Sequence, residues 1–435
     1  MSPLCKQTQL TKNANLTNLP RIGTVKHRWV EPWYLSYAIL GCTMGGMFPI
    51  LMPLLALKHF NSACHVGLLM AAFNLGGFIA PLWGKIADRY GIHRELLISS
   101  LIMTAITLTS FAFTNTFTVW LGLASIQGVS VFLAITLGNL FIVEIHPKIE
   151  WDQRIGWLQT FNSGGQVSGM LLAAALSKID LSAGLLVAAS LVALAVLPGF
   201  LTPRVSHEMT AYRPAIVSPK HRIQCNQNSS HLQFSQVKLN ILKHLHSARQ
   251  TPFVPIMGIW FLCVAGVSAV YTLYPVMMQE EFGIGRDRIA LSFALAMGLS
   301  VFLYAQAGRL AHRFGPARIL KRFLGARLVV LILLLLLEMH AFGGAVHLIL
   351  LTFILVVLCW PFIVVSATAL TAALSPCGEG EGMGIFCAVF ATACVSGSAF
   401  GGWLAAQWGY QATVAMAVST EALGLFLICR MKRLP

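Results

Sequence analysis

Two copies of one octapeptide reveal how this chain is organised: GKIADRYG at residues 84–91 and GRLAHRFG at residues 308–315. The copies are identical at their first, fourth, sixth and eighth positions. Each copy follows the second long apolar run in a set of six such runs. Repetition at equivalent places is typical of a membrane structure built from two related halves. We therefore predict two matching bundles, each beginning with a pair of apolar helices that ends in this turn.

The composition of the chain is that of a membrane protein. Of its 435 residues, 57% are hydrophobic and only 10% are charged, and the mean hydropathy is +0.73. Soluble domains carry roughly 25% charged residues, and a helix needs about 20 apolar residues to cross a bilayer. We therefore predict an all-α membrane protein with twelve transmembrane helices in two pseudo-symmetric six-helix bundles. The predicted spans are 33–57, 67–87, 95–114, 117–142, 157–177 and 181–201, then 253–278, 287–311, 317–337, 346–368, 382–406 and 410–430.

The places where the apolar runs stop predict the domain boundaries. Residues 1–32 are polar and basic, without the apolar centre of a signal peptide, and we predict a cytoplasmic tail. The bundles occupy 33–201 and 253–430, and 431–435 form a second cytoplasmic tail. Between the bundles, the polar segment 202–252 is predicted to be a cytoplasmic linker. Apolar residues recur at helical spacing near its end and predict a short amphipathic helix, lying on the membrane surface or solvated: Phe234, Val237, Ile241, Leu242 and Leu245.

The basic residues predict the orientation of the chain. The net charge is +15. If the N-terminus is cytoplasmic and every run crosses once, 26 of the 30 Lys and Arg residues fall on the cytoplasmic side, Arg327 among them. Cytoplasmic loops of membrane proteins carry such an excess. The pattern predicts an N-in, C-in protein of the cytoplasmic (inner or plasma) membrane, and it explains the basic charge without a nucleic acid partner. The four exceptions are Lys58, Lys178, Arg286 and Arg288.

We predict that the protein is not an enzyme and that it binds neither a cofactor nor a metal ion. Its ten cysteines contain no C-x-x-C pair, and we interpret them as small apolar side chains. No phosphate-binding G-x-x-x-x-G-K-[ST] motif is present. The predicted spans contain no paired acids and no His/Asp cluster that would carry out intramembrane catalysis. His244 and His246 stand close together, but in the polar linker, where a solvated basic segment is the simpler interpretation.

The first octapeptide resembles the loop motif of the major facilitator superfamily, G-x-x-x-D-R-x-G-R-R/K. Four residues match it: Gly84, Asp88, Arg89 and Gly91. Two residues depart from it, Ile92 and, in the second copy, His312. The end of span 4 is also similar to the family, with Glu144, Pro147, Arg154 and Gly156 in order. The resemblance covers about 33–430 and implies both the twelve-helix fold and solute transport.

The resemblance also implies a conformational latch on the cytoplasmic side. The two glycines allow a sharp turn and close helix approach. In this family the Asp meets the N-terminal end of span 11, where the helix dipole is positive, and Arg89 or Arg94 would bridge towards Glu144. The alternative is a set of solvated loop charges, each worth under about 1 kcal/mol. The predicted latch residues are Gly84, Asp88, Arg89, Gly91, Arg94, Glu144 and Arg154.

A central cavity lined by spans 1, 4, 7 and 10 is the third implication of the resemblance. Neutral hydroxyl, amide and aromatic groups in these spans suit an uncharged or amphipathic solute. The candidates are Tyr37, Thr43, Gln127, Ser130, Tyr271, Tyr274 and Trp360, with an interhelical hydrogen bond as the alternative for each. Asn74, Asn139, Asn162 and Gln166 are assigned to helix packing. Glu421, the one acid deep in a predicted span, is a possible proton site, with an ion pair to Arg327 or an interior hydrogen bond as alternatives.

These features together predict a monomeric secondary transporter whose partners are a small-molecule substrate, the lipid bilayer and a coupling ion, H⁺ or Na⁺. We prefer export of an amphipathic drug- or siderophore-like compound, because the interior is apolar and the glycines at 164–169 are similar to a pattern in exporters. Helix packing is the alternative role for those glycines. Import of a nutrient or metabolite is the alternative function. Since Ala124 stands where proton-coupled relatives have Arg, a non-transporting membrane sensor or assembly protein also remains open.

Overall fold

The structure, a computed structural model of the chain, describes residues 30–78, 90, 92–146, 151–176, 180–202, 252–339, 346–375 and 379–431. Several predicted features therefore lie outside the described residues. They are the first octapeptide apart from Tyr90, nearly all of the N-terminal tail, nearly all of the linker with its amphipathic helix, and most of the C-terminal tail.

The described residues form twelve helices. The first six are α1 (Tyr34–Phe60), α2 (Ala63–Asn74), α3 (His93–Phe113), α4 (Phe117–Ile145), α5 (Trp151–Leu176) and α6 (Leu181–Gly199). The second six are α7 (Phe253–Glu280), α8 (Arg286–Phe314), α9 (Pro316–Met339), α10 (Val346–Leu374), α11 (Glu379–Trp408) and α12 (Tyr410–Arg430). The polar break at 114–116, where the sequence predicts the division of a long apolar stretch, is confirmed.

Nine of the described helices are long and apolar enough to cross a membrane: α1, α3, α4, α6, α7, α8, α10, α11 and α12. Helix α2 is shorter, and α9 begins with several basic residues. The chain is therefore a multi-pass membrane protein. The count of twelve spans and the N-in, C-in orientation stay predictions.

Helix contacts repeat between the two halves. In the first half α1 packs on α5, α3 packs on α4 and α6, and α2 packs on α4. Adding six to each helix number gives the contacts of the second half: α7 with α11, α9 with α10 and α12, and α8 with α10. The contacts between halves obey the same rule, because α2 packs on α11 and α8 packs on α5. The octapeptide repeat therefore corresponds to a structural repeat.

The second octapeptide lies where α8 turns into α9. Gly315 separates these helices with a φ of +87°, in the left-handed region that glycine adopts without a steric penalty. A glycine at the last position of the motif is thus explained by the backbone of this turn. The corresponding turn of the first half lies outside the described residues.

Glycines bring α1 and α5 into direct backbone contact. A side chain at Gly165 would overlap the carbonyl of Ala38, and one at Gly169 would overlap that of Cys42. Small residues allow such close approach between membrane helices. The packing interpretation of the pattern at 164–169 is therefore confirmed for these two positions. The facing part of α1, Gly41–Met47, is a π-helix, a form that often marks functional positions in helices.

Candidate functional site

A cavity of about 340 Å³ lies near the middle of the bundle, between the two halves. Its walls come from α1, α2, α7, α8, α10 and α11, with one residue from α9. The volume falls in the range of small-molecule sites, about 300–1,000 Å³. Most of the lining is apolar or aromatic. The polar and charged lining residues are Asn74, Ser268, Tyr271, Thr272, Arg327 and Ser398.

Two of the seven predicted cavity residues, Tyr271 and Trp360, line this cavity. The sequence interpretation did not place Asn74 or Arg327 at the cavity. It assigned Asn74 to packing, and it counted Arg327 with the cytoplasmic charges although it also named Arg327 as a possible partner of Glu421. That count needs correction, because Arg327 lies inside α9 and is fully buried. The signal for Asn74 was an amide within an apolar helix, and the signal for Arg327 was a charge directly before the apolar run 328–337.

Four aromatic rings line the cavity, those of Phe73, Tyr271, Trp360 and Phe390, and ring contacts along α7 support two of them. Towards the start of that helix, Trp260 stacks with Trp360 at a centroid distance of 5.7 Å and with Phe386 at 4.5 Å. Towards its end, Tyr271 meets Phe293 edge-on at 5.2 Å. Such rings supply a large apolar surface with preferred stacking geometries. The cavity therefore suits a solute that carries a flat ring.

The four first-half candidates are bonded within the first half and do not line this cavity. The hydroxyl of Tyr37 donates to the carbonyl of Ala134 at 2.7 Å. Gln127 accepts a hydrogen bond from Thr107. Thr43 and Ser130 donate to carbonyls of their own helices. In this state the described part of α4 does not reach the cavity, so contact of these residues with a solute stays a prediction.

Tyr274, the remaining candidate, lies behind the cavity wall. Its ring stacks on Phe353 at a centroid distance of 3.4 Å, and its hydroxyl lies 3.0 Å from that of Ser292. It packs α7 against α8 and α10, while Tyr271, three residues earlier, faces the cavity. Tyr274 therefore forms the interhelical hydrogen bond that the sequence analysis gave as the alternative to a cavity role.

An ion pair lies at the α9 side of the cavity. Arg327 donates from Nε and one Nη to the two carboxylate oxygens of Glu421, at 2.9 and 2.7 Å. Both side chains are essentially inaccessible to solvent. The ion-pair alternative for Glu421 is therefore present in the structure. Its role as a proton site stays a prediction.

The sequence profile of the Major Facilitator Superfamily matches residues 34–379. The chain belongs to the Major Facilitator Superfamily. No curated protein sequence gives a significant match to it. The superfamily membership and the cavity between two pseudo-symmetric halves indicate a transporter.

Solved structures of superfamily transporters share the fold. A mutant form of the nucleoside transporter NupG has a TM-score of 0.75 at 14% identity, covering 92% of this chain and 99% of that one. A D-xylose-proton symporter has a TM-score of 0.67 at 14% identity, covering 93% and 97%. A bacterial homologue of the iron transporter ferroportin, in an inward-facing state, has a TM-score of 0.68 at 14% identity, covering 92% and 97%. At these identities the likeness concerns the fold alone.

A second polar cluster, centred on Glu31, lies where α1 begins. Its carboxylate accepts a hydrogen bond from Arg154 at 2.9 Å, and Nε2 of His146 lies 2.7 Å from the same oxygen. The indole of Trp33 donates to the other oxygen at 2.7 Å. Partial burial raises the pKa of Glu31, but the bonds from His146 and Trp33 and the charge of Arg154 outweigh it, so the pKa falls below 4.5. Arg154, a predicted latch residue, thus ties α5 to the segment before α1.

The rest of the predicted latch is only partly described. Gly84, Asp88, Arg89 and Gly91 lie outside the described residues, as does the side chain of Glu144. Arg94 donates to the carbonyl of Phe200 at 2.6 Å, which joins α3 to the end of α6. Sequence interpretation missed Glu31, although it is the one acid in residues 1–32. The latch stays a prediction.

Proposed function

We propose that the protein is a secondary transporter that moves a small organic solute by alternating access of its two six-helix halves. The observation that supports this proposal is the cavity, whose lining comes from both halves and which would open or close if the halves rock. The helix pairs α2–α11 and α5–α8 provide the contacts about which such rocking would occur. We place the protein as an N-in, C-in monomer in the cytoplasmic membrane.

Within this function we prefer export of an amphipathic, drug- or siderophore-like compound. The support is the lining, in which aromatic and aliphatic side chains dominate and neutral hydroxyl and amide groups supply the polarity. The glycines at 164–169 no longer contribute, because Gly165 and Gly169 are explained by packing.

Import of a nutrient or metabolite is the second candidate. Two structures with this fold are named as a nucleoside transporter and a D-xylose-proton symporter. Nucleosides and D-xylose are uncharged solutes with several hydroxyl groups, which a lining of hydroxyls and aromatic rings also accommodates. Coupling to H⁺ or Na⁺ would supply the energy in either direction.

A membrane sensor or assembly protein is the candidate from a different class. Ala124 supports it, since this fully buried alanine replaces the Arg of proton-coupled relatives. Membership in a superfamily of transporters favours transport instead, since a sensor would also need a cavity for its ligand.

The test is flux in proteoliposomes that contain the purified protein. Vesicles are loaded with a labelled extract of small metabolites, and movement is followed with no gradient, a pH gradient or a Na⁺ gradient. We expect saturable movement of a subset of compounds that depends on the protein and responds to one gradient. Protease-accessible tags at the two termini report the orientation of the protein in the vesicle membrane. The measured flux can then be assigned to import or export. A folded protein that moves no compound under any gradient would contradict transport and favour the sensor.

A further inference from the structure

Arg327 has one nitrogen more than its ion pair uses. Nε and one Nη bind Glu421, and the same Nη also lies 3.3 Å from the carbonyl of Cys263. The other nitrogen, Nη1, is buried and has no hydrogen-bond partner within the described part of the chain. A buried donor of a charged group is costly to leave unpaired. This nitrogen therefore calls for an acceptor that the described protein does not supply.

The position of Arg327 indicates where that acceptor comes from. The residue is the single contribution of α9 to the lining of the central cavity. Stability alone does not explain the pair, because replacing a buried ion pair by apolar residues is often neutral or stabilising. The Arg327 side chain borders the cavity but exposes no surface to it. A solute oxygen therefore reaches Nη1 only when the guanidinium turns towards the cavity, where that oxygen would complete its hydrogen bonds.

Charge balance selects a neutral solute. Glu421 cancels the charge of Arg327, and the described lining contains no other Lys, Arg, Asp or Glu. An anion in the cavity would add an uncompensated buried charge, which is expensive. Trp360 and Tyr271 meanwhile offer ring surfaces to a flat group on the same solute.

We propose that Arg327, held and neutralised by Glu421, binds solute through its free Nη1, and that the solute is a neutral compound in which a carbonyl or hydroxyl oxygen adjoins a flat ring. This inference rests on the proposed transport function and names the substrate class of the same cavity. It assigns a recognition role to α9, a helix outside the four that the sequence predicts to line the cavity.

The test compares three probes in proteoliposomes: uridine, a neutral ring with carbonyls; D-xylose, neutral without a flat ring; and orotate, a ring that is anionic. We expect saturable uridine uptake, with weaker uptake of the other two. In Arg327→Lys the ammonium keeps the positive charge opposite Glu421 but lacks the additional nitrogens of the guanidinium. We therefore expect the KM for uridine to rise about tenfold or more at a similar maximal rate. Arg322→Lys, an exposed arginine on the same helix, is the matched control and leaves the KM unchanged.

A second variant distinguishes loss of solute recognition from loss of folded protein. Arg327→Gln/Glu421→Gln removes both charges together and leaves no unpaired ion, and it too is expected to lose uridine affinity while it remains folded by thermal melting. An unchanged KM in both variants would overturn the role of Arg327. Preference for orotate or D-xylose, or no uridine movement by a protein that transports other compounds of the metabolite extract, would overturn the substrate class. Absence of all flux would instead contradict the transport function itself.

Discussion

The two halves of the bundle share one pattern of helix contacts but use their buried polar groups differently. In the first half, Tyr37 and Gln127 bond to neighbouring helices, and glycines bring α1 onto α5. In the second half, Tyr271 and Arg327 border the cavity. The pseudo-symmetry therefore concerns the backbone, whereas the polar groups that border the cavity lie mainly in the second half. Four experiments test this contrast, in order of decreasing expected effect.

The largest effect should come from the packing surface of the first half. In Gly169→Ala the added methyl group overlaps the carbonyl of Cys42, so α1 and α5 must separate. Overpacking of this kind costs about 1–3 kcal/mol, and we expect a clear drop in melting temperature in detergent. Gly164→Ala is the control, because no atom lies within 4 Å of its added methyl group. Equal melting temperatures for the two variants would contradict the proposed backbone contact.

Next in size is the loss of a ring from the cavity. Trp360→Ala removes a ring that lines it, and we expect the KM of the transported solute to rise about tenfold with little loss of folded protein. Trp403→Ala is the control, since Trp403 is exposed on α11. If Trp403→Ala raises the KM as much as Trp360→Ala, the cavity is not where the solute binds.

The octapeptides provide a smaller contrast. Asp88→Asn in the first copy should lower the transport rate about threefold, the size expected for an acid at a helix N-terminus, without changing expression or membrane insertion. His312→Asn at the equivalent place in the second copy should leave the rate unchanged. Initial transport rates in proteoliposomes test this prediction, and identical rates for Asp88→Asn and the unmodified protein would contradict the role of Asp88 in a latch.

The smallest contrast concerns two acids at helix ends. The pKa of Glu31 is lowered, so its ion pair with Arg154 stabilises the fold above pH 4.5 and is lost as the pH falls through the lower folded value. At Glu281, just after α7, partial burial raises the pKa, and this outweighs the lowering by hydrogen bonds to the Glu338 side chain and the Tyr410 backbone. The charge of Glu280 raises the pKa further. The ionised form of Glu281 therefore costs stability above its folded pKa, and the cost disappears as the pH falls.

Melting curves against pH test these opposite signs. At pH 7, Glu31→Gln should lower the melting temperature and Glu281→Gln should raise it, each by about 1–3 °C. As the pH falls, the difference at Glu281 should vanish first, and the difference at Glu31 should vanish only below its own lowered pKa. Shifts of the same sign at pH 7 would contradict the assignment of one carboxylate stabilised by its ion pair and one destabilised mainly by burial.

Much of the fold could be predicted because lipid imposes a simple rule on sequence. Long apolar helices are required, and the polar break at 114–116 divides α3 from α4 as expected. The repeated octapeptide correctly predicts two related halves. The cavity was harder: Tyr271 and Trp360 were found, but Asn74 and Arg327 were not. In helices that are apolar all round, periodicity does not show which face meets lipid, a neighbouring helix or an open volume.

The sequence alone therefore determined the membrane class, the helices, the two halves and the family, since each depends on local hydrophobicity or a short motif. The tertiary structure decided which polar groups are satisfied by neighbouring helices and which border the cavity. Arg327 illustrates the difference: its partner Glu421 is 94 residues away in the chain. Hydrogen bonds and cavities depend on distances across packed helices, and no local pattern in the sequence records these distances.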